Sequence, residues 1–206
     1  MWLKKNGEDS DQIARLAANR GYMVHRAVAQ LNAGSGVKLS DQFCDDEGRM
    51  RELTPDETFA VLTYAEWWSK EGKLAYDILG FEYTIWPDAE ALAAECGKPA
   101  DAFLYAGTVD MLVRRKADNT RGIIDIKTSA DIWPSHKMQV SAYRVAERAD
   151  WAAILQLAYY RTKRQKFKFT EVEDCFDLFC HTKAIWKHEN EGVTPKQQEF
   201  PLEIKL

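Results

Sequence analysis

The segment GIIDIKT at 122–128 constrains the fold most, because it is a short β-branched run that carries two charged side chains. Runs of this length, rich in Ile, are typical of a buried strand. Side chains alternate across a strand, so Asp125 and Lys127 share one face, with Cα atoms about 7 Å apart. Burying a carboxylate and an ammonium is costly unless they pair or hold a metal ion. The segment therefore predicts a sheet strand with a polar site built into it.

Helical patterns precede this strand. Apolar residues between positions 12 and 31 recur at a spacing of about 3.6 residues, as on a helix with one buried face. The letters TPDE at 54–57 supply an N-cap Thr, a Pro at the first helical position and a Glu at the third, which is a capping box. We expect this second helix to continue to about Leu79, so that residues 1–80 are mainly helical.

After residue 80 the pattern changes to short segments rich in Ile, Val, Tyr and Phe, which predict strands. The predicted strands are 81–86, 108–115, 122–128, 152–160 and 167–172. Two further helices are predicted at 137–148 and 174–188. This order indicates an α/β domain with a mixed central β-sheet flanked by helices and an N-terminal helical region.

The length of 206 residues and the hydrophobic fraction of 46% suit one core. We expect a single domain over 1–206, made of a mainly helical N-terminal region over 1–80, an α/β core over 81–190 and a tail over 191–206. The tail either docks on a neighbouring subunit or packs on its own domain. The first residues turn polar too soon for a signal peptide, and no run of about 18 apolar residues follows. We therefore expect a cytoplasmic protein that does not bind a membrane.

Charge and cysteine content bear on the class of function. The net charge of -4 argues against a broad basic surface for nucleic acid, although basic clusters at 114–116 and 161–168 could supply one locally. The alternative is that both clusters are solvated turns. Four scattered cysteines without CxxC spacing predict reduced structural thiols, and neither a zinc site nor disulfides.

A second carboxylate, Asp110, lies one hairpin before the strand and can face Asp125 across the ladder. Two carboxylates at one point suit a hard divalent cation such as Mg²⁺, which also binds phosphate. Phosphodiester hydrolysis needs an activated water and stabilised negative charge, and metal ions provide both. Lys127 could orient or deprotonate that water, or stabilise the transition state. The alternative is a structural Asp125–Lys127 ion pair, which leaves Asp110 unexplained.

Three motifs follow each other in order: GTVD at 107–110, DIKT at 125–128 and QVSAY at 139–143. Together they resemble the GxxD, DxK and QxxxY motifs of the PD-(D/E)XK nuclease superfamily, in its RecB-like and phage-type exonuclease branch. GYMVH at 21–25 resembles the helical histidine before the core of that family, and FEY at 81–83 resembles the glutamate on its first core strand. The resemblance implies a restriction-endonuclease-like core.

The resemblance also implies a role for each matching residue. Asp110 and Asp125 would be metal ligands together with the backbone carbonyl of Ile126, and Lys127 would activate the water. His25 would be an additional ligand, which favours Mn²⁺ beside Mg²⁺ because imidazole suits transition metals.

Further matching residues would support this centre. Glu82 would position a second metal ion or a water. Gln139 and Tyr143, four residues apart on one helix face, would with Thr128 contact a DNA phosphate or brace the site. The structural alternatives are a histidine at the edge of the core for His25, a solvated edge carboxylate for Glu82, and helix packing for Gln139 and Tyr143.

Two cofactors are not expected. Iron–sulfur members of the family hold their cluster with one early cysteine and three late ones, but only Cys175 and Cys180 lie late here. No GxxxxGK[ST] loop occurs, so we expect no nucleotide cofactor, and any unwinding motor belongs to another chain.

We therefore expect a metal-dependent DNA exonuclease that hydrolyses phosphodiester bonds of linear DNA in recombination or repair. Its small, helicase-free organisation resembles phage-type enzymes, which would act in the host cytoplasm. Its partners would be DNA ends or single strands, with a recombination protein or further copies of the chain as options. Two alternatives stay open: a structure-specific or sequence-specific endonuclease, and a catalytically inert nucleic-acid-binding or scaffold protein on the same fold.

Overall fold

A five-stranded mixed sheet is the centre of the structure, a computed structural model that describes residues 10–157 and 166–193. The helices are α1 (Ser10–Asn32), α2 (Pro55–Trp67), α3 (Lys73–Ala75), α4 (Ala89–Cys96), α5 (Pro134–Ala146) and α6 (Phe176–Glu189). The strands are β1 (Gln42–Cys44), β2 (Met50–Glu52), β3 (Tyr76–Ile85), β4 (Gly107–Arg115), β5 (Arg121–Lys127), β6 (Trp151–Gln156) and β7 (Lys168–Glu171). The mixed α/β architecture with an N-terminal helix is confirmed.

The sheet runs in the order β3-β4-β5-β6-β7. β5 and β6 are parallel, and the other neighbouring pairs are antiparallel. A parallel pair needs a crossover connection, and α5 provides it between β5 and β6. The predicted hairpin turn joins β4 to β5, where Asp118 Oδ1 accepts hydrogen bonds from the N–H and the hydroxyl of Thr120.

Apolar side chains on both faces of the sheet bind it to the helices, as β5 illustrates. Ile124 belongs to the core that α1 and α2 cover, with Tyr64 among its members. Ile123 belongs to the core on the other face, which α5 covers. Because neighbouring strand residues point to opposite faces, Asp125 and Lys127 follow Ile123 onto the α5 face.

The second predicted helix begins as expected and ends early. The Thr54 side chain accepts the Glu57 N–H at 3.4 Å, and Glu57 accepts the Thr54 N–H at 2.7 Å, so the capping box is confirmed. A wide π-helical turn, Trp68–Gly72, follows α2, then α3, and β3 starts at Tyr76. The predicted extension to Leu79 is wrong, because pairing with β4 from Tyr76 onward outweighs the local helical pattern.

Three short elements have no counterpart among the predicted ones. The antiparallel β1–β2 hairpin interrupts the region expected to be mainly helical. α4 and the 3₁₀ helix Ala100–Phe103 fill the connection between β3 and β4. β1 and β2 have three residues each, which is too short for a periodic signal.

The strand predicted at 152–160 ends at Gln156. Positions 1–9, 158–165 and 194–206 lie outside the described residues. The last of these ranges includes most of the predicted tail. Across 10–157 and 166–193, none of the helices combines the length and apolar content needed to cross a membrane.

Candidate metal centre

A cleft of about 610 Å³ opens between α1, α5 and the ends of β4 and β5. Most residues that the motifs single out line it, namely His25, Glu82, Asp110, Ile126, Lys127, Thr128 and Gln139. Asp125 and Tyr143 adjoin it through their contacts with Lys127 and Gln139. The structure thus gathers residues of five elements at one place.

The cleft forms where β4 and β5 stop pairing. The last paired residues are Met111 and Ile124, and continuing that register puts Asp110 opposite Asp125, as expected. Beyond the last pair, the backbone N–H of Ile126 donates to the Asp110 side chain, with 2.6 Å between N and Oδ2. A side chain therefore replaces a backbone acceptor. The bond holds one Asp110 oxygen and leaves Oδ1 for other contacts.

Three candidate ligands meet in the cleft. Nδ1 of His25 lies 3.1 Å from Asp110 Oδ1 and 3.2 Å from Glu82 Oε1. One ligand atom from each residue falls within 4.8 Å of the others. Asp110 is nearly buried, whereas the side chains of His25 and Glu82 are about a quarter exposed. We call these three residues the acid–histidine cluster.

Glu82 reaches the cluster through an unusual backbone conformation. Its φ is 46°, in the left-handed region, although it lies inside β3. Such a conformation costs a non-glycine residue on the order of 1 kcal/mol or more, and it persists only where the surroundings hold it. The paired neighbours Phe81 and Tyr83 hold the strand against β4 on either side. The strain therefore lies at the residue that turns a carboxylate toward His25.

The electrostatic balance keeps His25 protonated in the absence of a metal ion. Burial lowers the pKa of this imidazole, but the charge and hydrogen bond of Asp110, together with Glu82, raise it well above its usual value. A cation that bound here through this nitrogen would have to displace the proton.

Asp125 and Lys127 form the predicted pair on the α5 face. Lys127 Nζ lies 2.7 Å from Asp125 Oδ2. Burial and the charge of Asp110 raise the pKa of Asp125 to about 6, against the opposing effect of Lys127. Burial lowers the pKa of Lys127, but Asp125 and Asp110 raise it overall. The Asp125 carboxylate therefore carries its charge at a cost that the Lys127 ammonium only partly offsets.

Asp125 differs from the acid–histidine cluster in two ways. It is not among the residues whose ligand atoms lie within 4.8 Å of one another. Its Oδ2 atom instead lies 2.7 Å from the Lys127 ammonium, and this contact pairs the buried carboxylate with a cation.

Gln139 and Tyr143 brace Lys127 from α5. The Gln139 Oε1 atom accepts from Lys127 Nζ at 2.9 Å, and its Nε2 donates to the Tyr143 hydroxyl at 2.9 Å. The Tyr143 ring packs on Gly107, where an added Cβ would lie 2.5 Å from the ring. Glycine is therefore required at the first motif position for α5 to approach this closely.

The remaining predicted residues lie at the same cleft. The contact formed by Ile126 is through its N–H, and the role of its carbonyl stays a prediction. Thr128 is nearly buried and lies beside α1, since a Cβ added at Gly21 would be 3.7 Å from its Oγ1. Arg20 and His136 also line the cleft, and neither was predicted as a site residue. Neither belongs to a motif, and only proximity in the fold reveals them.

These residues fit a divalent cation. Octahedral ligands at about 2.1 Å from Mg²⁺ lie about 3.0 Å from their neighbours. The separations of 3.1 and 3.2 Å in the acid–histidine cluster are close to that value. Two carboxylates and an imidazole are compatible with both Mg²⁺ and Mn²⁺.

The basic cluster at 114–116 has structural partners. Arg115 bonds Glu171 at 2.6 Å and lies over the Trp151 ring, 4.2 Å from its centroid. Lys116 donates to the Lys73 carbonyl at 2.7 Å. Arg115 is the last residue of β4 and Lys116 follows it, so both are engaged in contacts within the protein, and a solvated turn does not describe Arg115. Most of the second cluster lies outside the described residues.

No family model matches this chain, and none of the curated proteins compared with it is similar in sequence. The four cysteines are free; Cys96 is exposed, and Cys44, Cys175 and Cys180 are partly exposed. Assignment to the PD-(D/E)XK superfamily stays a prediction that rests on the motifs.

Proposed function

We propose that this protein is a divalent-metal-dependent deoxyribonuclease with a restriction-endonuclease-like core. One observation carries the proposal: motif residues of α1, β3, β4, β5 and α5 converge on a single cleft. A structural ion pair would explain Asp125 and Lys127 alone. It would not explain why His25, Glu82 and Asp110 gather beside that pair. One ligand atom from each of these three residues lies within 4.8 Å of the others.

In the proposed centre, the acid–histidine cluster would hold Mg²⁺ or Mn²⁺, with Asp125 beside it. A cation held there would provide Lewis-acid chemistry for activating water and neutralising charge on the phosphate. The protein contributes the positions of the ligands. The Ile126 N–H holds Asp110 by one oxygen, and the strained backbone of Glu82 turns its carboxylate toward His25.

Lys127 acts in this proposal as a fixed positive charge. Against the effect of burial, Asp125 and Asp110 raise the pKa of Lys127 in the metal-free protein, so this residue enters the site as an ammonium. It can orient the attacking water or stabilise negative charge on the phosphate. Gln139 restricts the ammonium from the side, and Tyr143 holds Gln139.

We propose further that the substrate is linear DNA degraded from an end, in recombination or repair in the cytoplasm. The resemblance to small, helicase-free exonucleases of the RecB-like and phage types supports this choice. The cleft would also serve an endonuclease, and a protein that lost activity could keep it as a scaffold.

The test uses end-labelled linear DNA and covalently closed circular DNA, in Mg²⁺ and separately in Mn²⁺. We expect release of short products from linear DNA and intact circles. Cut circles would instead identify an endonuclease. An inert scaffold would hydrolyse neither substrate in either ion and would give no heat of metal binding in calorimetry.

A matched pair of variants assigns the activity to the site. We expect Lys127→Ala and Asp125→Ala to abolish hydrolysis while unfolding stays cooperative. Lys116→Ala removes an ammonium far along the sheet, paired with Asp77, and should leave the rate near that of the unmodified protein. Near-normal hydrolysis by Lys127→Ala would contradict the assignment.

A further inference from the structure

Arg20 is a cation of the cleft that the proposed metal centre does not use. It lines the cleft on α1, and its Nε atom is buried without a hydrogen bond. Within 10–157 and 166–193, no carboxylate forms an ion pair with it. A guanidinium stays charged at any physiological pH and has five donors but no acceptor. Arg20 is partly exposed, and its buried Nε–H faces the cleft side of α1 without an acceptor.

The cleft has two chemically different ends. At one end, the two carboxylates that line it, Glu82 and Asp110, both contact His25. Arg20 precedes His25 by five residues, which is about 7.5 Å along a helix axis. The adjacent Gly21 lies against Thr128 at the end of β5. Arg20 therefore belongs to the end away from the acid–histidine cluster.

A second donor at this end has a defined tautomer. His136 lines the cleft, and its Nδ1 accepts the Trp133 backbone N–H at 3.3 Å, where α5 begins. Burial, and then the charge of Lys127, lower the pKa of this imidazole, so it is neutral and carries its proton on Nε2. Arg20, the Thr128 hydroxyl and the His136 Nε2–H thus offer donors, and the described lining here includes no carboxylate.

We propose that Arg20, with Thr128 and His136, forms a phosphate subsite for the DNA backbone. It binds the phosphate next to the one held at the acid–histidine cluster. This inference rests on the proposed function, because it takes the bound chain to be DNA. Arg20 and His25 are about 7.5 Å apart along the axis of α1, so the two residues are assigned to different phosphates of the strand. The phosphate oxygens supply the acceptors that Arg20 lacks.

The test measures binding apart from hydrolysis. Fluorescence anisotropy follows a labelled single-stranded oligonucleotide in Ca²⁺ over a range of KCl concentrations, with its integrity checked on a gel. Losing one phosphate contact lowers the slope of log K against log salt by about 0.7 for a single strand. We expect this change in Arg20→Ala, with binding about tenfold weaker.

Two variants control for helix and charge. Arg20→Lys should keep the slope, because an ammonium also neutralises phosphate. Arg15→Ala removes an exposed arginine of the same helix and should change neither the slope nor the affinity. An unchanged slope in Arg20→Ala, or an equal change in Arg15→Ala, overturns the subsite.

A modified oligonucleotide locates the phosphate. A single neutral methylphosphonate, moved along the strand, should weaken binding to the unmodified protein at one position. At that position Arg20→Ala should add no further loss. Unchanged affinity at every position overturns the proposal, and so does failure of the unmodified protein to bind the oligonucleotide.

Hydrolysis assays on the same proteins separate the two claims. If the unmodified protein cuts DNA but the slope does not depend on Arg20, the subsite is wrong and the nuclease proposal stands. If the slope depends on Arg20 and no DNA is cut in any metal ion, the subsite stands and the nuclease proposal is wrong.

Discussion

Replacing Asp125 with Asn should change stability in a way that depends on pH. In the folded, metal-free protein, burial and Asp110 raise the pKa of this carboxyl to about 6, from 3.8 for an unperturbed Asp. Below pH 3.8 both folded and unfolded states are protonated, and the group has no effect. Between the two pKa values the unfolded state ionises first, so the stability of the protein falls as pH rises until pH exceeds about 6.

The magnitude follows from the two pKa values. A difference of about 2 units at about 1.36 kcal/mol per unit amounts to about 3 kcal/mol, and about half of it falls between pH 5 and 8. Asn cannot ionise, so Asp125→Asn removes this dependence. Asn also removes the charge that most raises the pKa of Lys127; a lower pKa of this buried ammonium makes the stability of the variant rise with pH, in the same direction. From pH 5 to pH 8, the free energy of unfolding of the variant minus that of the unmodified protein should therefore rise by about 1 to 2 kcal/mol.

The assay is urea denaturation in EDTA at four pH values from 5 to 8, followed by circular dichroism. Asp77→Asn is the control, because this exposed aspartate pairs with Lys116 on the surface, and its difference should stay flat. A flat difference for Asp125→Asn would refute the reasoning. It would mean that ionising the buried Asp125 carboxyl does not destabilise the folded protein, so that a bound cation would have no such destabilisation to offset.

Two further predictions concern the ligands and the packing. Metal affinity should rise with pH, because a cation displaces the proton of His25. In calorimetry, His25→Ala should bind Mn²⁺ more weakly than the unmodified protein and lose most of this pH dependence. The affinity for Mg²⁺ should fall less. An equal loss for both ions would contradict the imidazole as a ligand. Gly107→Ala should destabilise the fold by about 1–3 kcal/mol, because its Cβ would overlap the Tyr143 ring. Thermal unfolding measures this loss, and Gly36→Ala, where no atom lies within 4 Å, is its control.

Residues whose chemistry conflicts with their surroundings were the most predictable members of the site. Asp125 and Lys127 interrupt an apolar strand, and alternation alone puts them on one face. The position of Asp110 opposite Asp125 follows from the length of the hairpin between them. The last paired residues, Met111 and Ile124, are each one residue away from these two carboxylates. These inferences need only strand periodicity and the cost of burying charge.

Contacts between distant elements were not predictable from local pattern. The end of α2 depends on where β3 begins to pair, and β1 and β2 are too short to show a period. The left-handed backbone of Glu82 is imposed by the strands around it. Arg20 becomes notable only because the fold buries its Nε without giving it an acceptor. Such features arise from tertiary packing, which a single sequence does not encode locally.

The hydrogen bond from the Ile126 N–H to Asp110 makes one backbone amide a reporter of the cleft. Most amides of a central strand exchange with solvent only when the ladder around them opens. This amide is protected by the Asp110 side chain, which we propose as a metal ligand. Its exchange rate should therefore respond to occupancy of the cleft while its neighbours Ile123 and Ile124 follow global unfolding. The place where two strands separate thus links the chemistry of the cleft to the local dynamics of the sheet.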